Sequence, residues 1–387
     1  MIKIKHLEII LKVSERCNIN CTYCYVFNLG NDISINSKPI ISHDIIKDLT
    51  GFLERASHEY DIETIQIDFH GGEPLMMGKE KFDSACRDFL SGNYKKSRLQ
   101  LACQTNAMLI DEEWIDIFSN NNISVGVSID GPKHINDKHR LDRKGRSTYE
   151  GTVKGLVMLQ DAWQAGRLID EPGILCVANS LVNGAEIYRH FVDVLHCKKI
   201  DFLIPDETHD TCKDPEGLSD FYCSAIDEFF SDADSNVYIR FFYTHIQSML
   251  NSDLSPVLGL SKSESDTLAF TVGSEGELYV DDTLRATNDP IFTSIGNVRN
   301  LSLSETIASW QMQKYMAVNN NLPLVCTDCI WQKICGGGRH IQRYSKADDF
   351  NRETVFCPSI RKIMSRAASH LLDCGVSENT IMKNLDS

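Results

Sequence analysis

Through the first two hundred residues, short runs of β-branched and other apolar residues alternate with longer segments whose apolar positions recur at intervals of three and four. That is the pattern of repeated βα units around a parallel sheet. It predicts strands at 7–13, 64–69, 99–104, 123–129, 174–178 and 200–204, and amphipathic helices at 42–56, 79–90, 111–119, 149–163 and 185–195. Six such units predict an α/β fold in the form of a partial (β/α)6 TIM barrel over residues 1–215. A helical, acidic stretch from 218 to 250 leads into the Ser/Asp-rich 252–266, which reads as a boundary, so 216–265 is expected to be a helical linker region. Beyond it the chain is rich in glycine and loops, with four closely placed cysteines. A small domain organised by a metal centre is expected over 266–360, followed by a helical tail at 361–387.

Composition narrows the picture. The 39 Lys and Arg against 54 Asp and Glu give a net charge of −15, which argues against nucleic acid as a partner. No apolar run approaches the roughly 20 residues of a membrane span. The first residues are interrupted by Lys3, Lys5, Glu8 and Lys12, so no signal peptide is read and a cytoplasmic location is expected. Fourteen cysteines in such a chain point to metal or redox chemistry rather than to disulfides.

Cys17, Cys21 and Cys24 form Cys-x3-Cys-x2-Cys in the loop after the first strand. Three thiolates can wrap one 4Fe-4S cubane and leave one iron open to a further ligand, whereas a closed zinc site needs four ligands. The other strand ends run into HGGEP, QTNA and SIDGP, at the rim where βα barrels build active sites. This set resembles the radical S-adenosylmethionine superfamily, whose signature is the same cysteine spacing with an aromatic residue before the last cysteine, here Tyr23. The resemblance implies that the open iron chelates S-adenosyl-L-methionine and that one-electron cleavage yields a 5′-deoxyadenosyl radical. It also implies cofactor-binding roles for Gly71, Gly72 and Glu73 of GGEP, for Gln104, Asn106, Ser128 and Asp130, for Arg140 near the cofactor carboxylate, and for Asn179 and Leu203 along the adenine. Asn106 and Asp130 are equally suited to capping helices or shaping turns.

Cys326-x2-Cys329-x5-Cys335, followed by GGG and later by Cys357-Pro358, supplies four thiolates, enough to close a second cubane. The stretch resembles the SPASM domain of peptide-modifying radical enzymes. Arg339 stands where that pattern has a fourth clustered cysteine, and AFTVGSEGELYVDDTLR contains none. The resemblance therefore implies two 4Fe-4S clusters, one binding S-adenosyl-L-methionine and one auxiliary, rather than three. The phrases VDDTLR, CGGGRHIQRYS and VFCPS are similar to Xye-type maturases that form three-residue cyclophanes, joining an aromatic ring to the β-carbon of a residue two positions on. By that likeness Asp282 is the candidate base. The partners it implies are a precursor peptide and an external one-electron reductant of flavodoxin or ferredoxin type. Only six residues precede the first strand, so no leader-binding domain is expected there. The alternatives are an anaerobic sulfatase-maturing enzyme, a thioether-forming maturase and, from another class, a zinc-binding scaffold. The other cysteines, Cys86, Cys103, Cys176, Cys197, Cys212, Cys223 and Cys374, are expected to be small buried hydrophobes.

Overall fold

The computed structural model describes residues 3–232, 236–250 and 266–386. In chain order the principal elements are β1 (His6–Ser14), α1 (His43–Glu59), β2 (Thr64–Gly71), α2 (Lys79–Leu90), β3 (Arg98–Thr105), α3 (Glu112–Asn120), β4 (Ile123–Ser128), α4 (Tyr149–Gln164), β5 (Gly173–Val177), α5 (Gly184–Arg189), β6 (Lys199–Leu203), α6 (Leu218–Ser231), β7 (Tyr238–Ile239), α7 (Arg240–Leu250), β8 (Thr267–Val272), β9 (Glu277–Tyr279), β10 (Gly296–Asn297), α8 (Leu303–Ala308), α9 (Cys357–Asp373) and α10 (Glu378–Asp386). No described helix is long and apolar enough to cross a membrane. The described residues pack as two compact units, one from 3–129, 136–173 and 266–315, the other from 130–135, 174–232, 236–250 and 316–386.

In the first unit β1 runs parallel to β2, and β2–β3–β4 continue in the same sense. Strict alternation sends Leu7, Ile9, Leu11 and Val13 into the core. Ile65, Ile67 and Phe69 of β2 do the same. The helices that cover this face begin at polar caps: Ser42 accepts from Ile45 N at the start of α1, and Asp111 from Trp114 N at the start of α3. Phe82 of α2 is the hub, with ring centroids 4.4 Å from Phe69, 5.2 Å from Trp114 and 6.1 Å from Phe118. The other parity of the strands carries the polar residues. In register, Lys12 lies beside His70, and Ile10 has Asp68 on one side and Thr271 of β8 on the other.

β8 extends the same sheet, pairing parallel with β1 over six residues, and β9 and β10 follow antiparallel. The span expected as one cluster domain, 266–360, therefore contributes to both units. Of the expected boundary segment 252–266, all but Asp266 lies outside the described residues. Asp266 O accepts from Lys5 N and His6 N, which anchors the start of β8 to β1.

In the second unit β5, β6 and β7 are parallel neighbours. The helical stretch expected over 218–250 is interrupted, because Tyr238 N bonds Lys198 O and β7 joins the sheet between α6 and α7. The helix expected at 185–195 is α-helical only to Arg189 and continues as a wider π turn, with Leu195 N bonded to His190 O. Phe202, Phe221, Tyr222, Phe241 and Phe242 form the aromatic core, and α9 packs along α6, where Arg366 and His370 grip Asp227. Cys374 departs from its expected burial and is exposed at the C-cap of α9.

Because Phe82 is fully buried and contacts three other rings, Phe82→Ala is expected to cost about 3–5 kcal/mol of stability in chemical denaturation.

Candidate active site and cluster sites

The loop leaving β1 carries Cys17 and Cys21, each 8% exposed, and the half-buried Cys24, packed with Tyr23, Phe27 and Met108. It is fixed from two sides. At the end of β2, Gly72 N donates to Ser14 O (2.7 Å) and Glu73 N to Arg16 O (2.9 Å). From residues 139–143, Asn20 N reaches Leu141 O, Thr22 N reaches His139 O, and Arg143 Nε donates to Cys17 O at 2.8 Å. A Cβ on Gly71 would overlap Ser14 O, and one on Gly72 would overlap Arg16 O. Gly71 also has φ +141°, a conformation open mainly to glycine. Both glycines are thus required by the approach of one backbone to another.

Glu73 is buried, and its carboxylate accepts from Thr105 Oγ1 (2.7 Å), Asn106 N (2.9 Å) and Leu75 N (3.1 Å). Burial raises its pKa, and these donors with nearby Arg140 oppose the rise. It ties the ends of β2 and β3 together. Asn106 Nδ2 donates to Asn18 Oδ1 at 2.7 Å and lies 4.0 Å from Cys17 Sγ. Arg140 Nη1 donates to Tyr23 Oη at 2.9 Å, and Gln104 Nε2 to Ser128 Oγ at 2.8 Å. The remaining candidates belong to the second unit. Val177 N donates to Asp130 Oδ1 at 3.2 Å, Asn179 accepts from Leu181 N in an Asx turn, and Leu203 O accepts from Ala178 N.

Asp282, 6% exposed, occupies a site the sequence reading did not foresee. Its Oδ2 accepts from Lys12 Nζ and, at 2.7 Å, from Tyr25 Oη. Burial works to raise its pKa, but Lys12, His70 and Tyr25 together hold it well below the usual carboxylate range. Lys12 also lies 3.1 Å from His70 Nδ1, which accepts from Gly71 N as well. Both contacts require an unprotonated Nδ1, and burial followed by the Lys12 charge pushes the His70 pKa down to about 4. Lys12, Tyr25 and His70 were missed. The available signal was strand parity, since Lys12 and His70 face away from the apolar side of β1 and β2.

The 266–285 stretch, where the SPASM resemblance lacks cysteines, is filled otherwise. Arg285 lies 5.7 Å over the Phe292 ring, and Tyr279 stacks on the same ring at 5.0 Å.

In the second unit Cys326, Cys329, Cys335 and Cys357 line one cavity. Burial pushes the Cys326 thiol up to about 11 and Cys335 to about 12, with the neighbouring thiols adding to the rise. Among the described residues no three His, Cys, Asp or Glu side chains converge as ligands of a single ion do. Gly336, Gly337 and Gly338 have φ of 59°, 84° and 84°, turning the chain sharply after Cys335, and a Cβ on Gly338 would overlap Thr354. Arg339 pairs with Asp206 at 2.7 Å. In the first unit Cys17, Cys21 and Cys24 interact electrostatically as one group, and burial pushes Cys17 up to about 12. Three clustered thiols and four thiols around a cavity are donor sets that fit iron–sulfur cubanes.

The family described as the Radical SAM superfamily matches residues 11–168. Those residues belong to the Radical SAM superfamily. The chain is 25% identical over 380 residues to a cysteine-type anaerobic sulfatase-maturating enzyme of Clostridium perfringens, covering 95% of this chain and 98% of that one. It is 24% identical to a serine-type anaerobic sulfatase-maturating enzyme of Bacteroides thetaiotaomicron, covering 89% and 85%. The solved structure of native anSMEcpe with bound AdoMet superposes with a TM-score of 0.79 at 25% identity, covering 95% and 99%. Streptococcus suis SuiB bound to precursor peptide SuiA shares the fold at a TM-score of 0.60 and 15% identity, covering 91% and 76%. The fold is the radical SAM α/β fold, a partial barrel with a C-terminal SPASM-like region. Its cofactors are S-adenosyl-L-methionine and 4Fe-4S clusters, one of them auxiliary.

Two predictions follow from the packing. Gly72→Ala forces the β2 end away from Arg16. Anaerobically reconstituted protein, with about eight irons in the parent, is expected to retain about four, as is the Cys17→Ala, Cys21→Ala, Cys24→Ala triple variant. The second concerns pH. His70 has a folded pKa near 4, below its ordinary 6.5, so its contribution is complete above pH 6.5 and is lost as pH falls toward 4. The stability difference between the parent and His70→Asn, measured by urea denaturation, should therefore shrink across that interval.

Proposed function

We propose that this radical SAM enzyme removes a hydrogen atom from the β-carbon of a cysteine or serine side chain in a peptide or protein substrate, oxidising it to formylglycine. The observation that carries this reading is the pairing of two thiol sets of different kind: three clustered in the loop after β1, and four around one cavity in the second unit. Cys17, Cys21 and Cys24 would hold the cluster that leaves an iron open, with the residues around GGEP nearby. Bound there, S-adenosyl-L-methionine and the cluster supply a hydrogen-abstracting 5′-deoxyadenosyl radical once an external carrier of flavodoxin or ferredoxin type delivers one electron. Similarity to sulfatase-maturating enzymes over nearly the whole chain supports the choice of side chain.

After hydrogen abstraction the substrate must lose one more electron and its O–H or S–H proton; a serine then stands as the aldehyde, and the thioaldehyde from a cysteine takes up water and releases hydrogen sulfide. Cys326, Cys329, Cys335 and Cys357 would hold the electron acceptor. Asp282 would take the proton: Lys12 and Tyr25 both engage Oδ2 and fix the orientation of the carboxylate. A carboxylate this stabilised is a weak base. It suffices because removing the electron leaves the substrate carbon cationic and the neighbouring proton acidic.

A second reading, formation of a three-residue cyclophane, is favoured by the 266–285 stretch. There the chain carries no cysteine, and Tyr279 and Arg285 pack on the Phe292 ring. Both readings begin with β-carbon hydrogen abstraction and differ in the fate of the radical.

The experiment incubates reconstituted enzyme anaerobically with S-adenosyl-L-methionine, dithionite and paired peptides, one carrying a cysteine or serine and one carrying only an aromatic residue two positions before an aliphatic or polar one. Mass spectrometry with an aldehyde-reactive hydrazide reads the product. A hydrazone on the first peptide supports formylglycine. Loss of two hydrogens from the second, without hydrazide reactivity, replaces it with the crosslink. Asp282→Asn is expected to retain formation of 5′-deoxyadenosine while losing at least about 10²-fold in product.

A further inference from the structure

The auxiliary cavity carries charge of both signs outside its four thiols. Arg361 lines it, one helical turn after Cys357 on α9, and its guanidinium charge acts on both the Cys357 and Cys329 thiols. Cys357 is the first residue of that 17-residue helix, so the positive end of the helix also meets the site. Glu353 lines the same cavity and acts electrostatically on Cys326 and Cys357 with the opposite sign. Arg343, which is 2% exposed, acts on Cys326 and Cys335, but its guanidinium is committed to the Val318, Asn321 and Arg352 carbonyls and holds the loop together. Among the described residues the Arg361 guanidinium makes no such backbone hydrogen bond, and the charges it acts with are those of the Cys357 and Cys329 thiols.

We propose that Arg361 and Glu353 set the reduction potential of the auxiliary cluster from opposite sides, Arg361 favouring and Glu353 opposing the arrival of an electron. The inference rests on the reading of Cys326, Cys329, Cys335 and Cys357 as cluster ligands. Reduction adds one negative charge to a cluster already surrounded by four thiolates. A guanidinium at the wall of that cavity stabilises the added charge, and local charge and polar contacts around a cluster are an established means of moving potentials. A carboxylate at the same cavity destabilises it. The balance is one electron: the substrate radical is oxidised by one, the cluster is reduced by one, and the substrate proton leaves separately. Both groups are positioning residues, acting through the cluster rather than on substrate.

The test uses the full chain carrying the Cys17→Ala, Cys21→Ala, Cys24→Ala changes, so that only the auxiliary cluster is reconstituted, in an EPR-monitored redox titration. At the parent midpoint, Arg361→Gln is expected to lower the reduced-to-oxidised ratio at least about threefold, or ~28 mV at 59 mV per tenfold for one electron. Glu353→Gln is expected to raise the ratio, and Arg361→Lys to stay near the parent. Lys362→Gln, at an exposed neighbour paired with Glu216, should leave it unmoved. A parent that binds no iron would overturn the cluster reading itself. With iron bound in the parent, the inference on Arg361 and Glu353 is overturned by ratios unchanged in both Gln variants, by shifts of the same sign, or by loss of iron in Arg361→Gln.

Discussion

The close approach of the β2 end to the start of the cysteine loop is the constraint on which the candidate site in the first unit depends. Two backbone hydrogen bonds, from Gly72 to Ser14 and from Glu73 to Arg16, can form only because neither glycine has a Cβ. They fix where Cys17 begins. Glu73, pinned by this contact, spends its carboxylate on Thr105, Asn106 and Leu75, so the β3 end is carried into the same arrangement. The GGEP motif therefore works first as a fastener, and any contact to cofactor is made from a scaffold it has already fixed.

A second constraint is the buried charge of Lys12. An ammonium at 1% exposure persists only with compensation, and Asp282, His70 and Tyr25 supply it from three other segments. Asp282 stands next to β9, so the chain after residue 266 does more than carry the four thiols of the second cavity. By adding β8 beside β1 it brings a carboxylate to the polar face of the barrel sheet. Stacking of Tyr279 and Arg285 on Phe292 then holds that stretch in place.

Much of this was legible in the linear chain. Periodicity located the strands to within a residue or two, because apolar alternation in β1 and β2 directly reflects one buried face. Short-range spacing defined the Cys17–Cys24 loop and the thiols at 326–335, since thiols close in sequence share one turn of chain. Cys357, distant in sequence, does line the same cavity as the other three. The helix breaks at residues 190 and 238 were not legible, because a π turn and a two-residue strand leave almost no compositional trace.

The sequence by itself determined the repeated βα architecture, the two thiol sets and the glycines beside them, because each is encoded by local periodicity or spacing. Tertiary structure decided which charges meet. Nothing in the neighbourhood of Lys12 announces Asp282, 270 positions away, or separates a solvated lysine from one buried against a carboxylate. Only strand register and the parallel addition of β8 to β1 bring them together, and the cost of burying an unpaired charge keeps them paired.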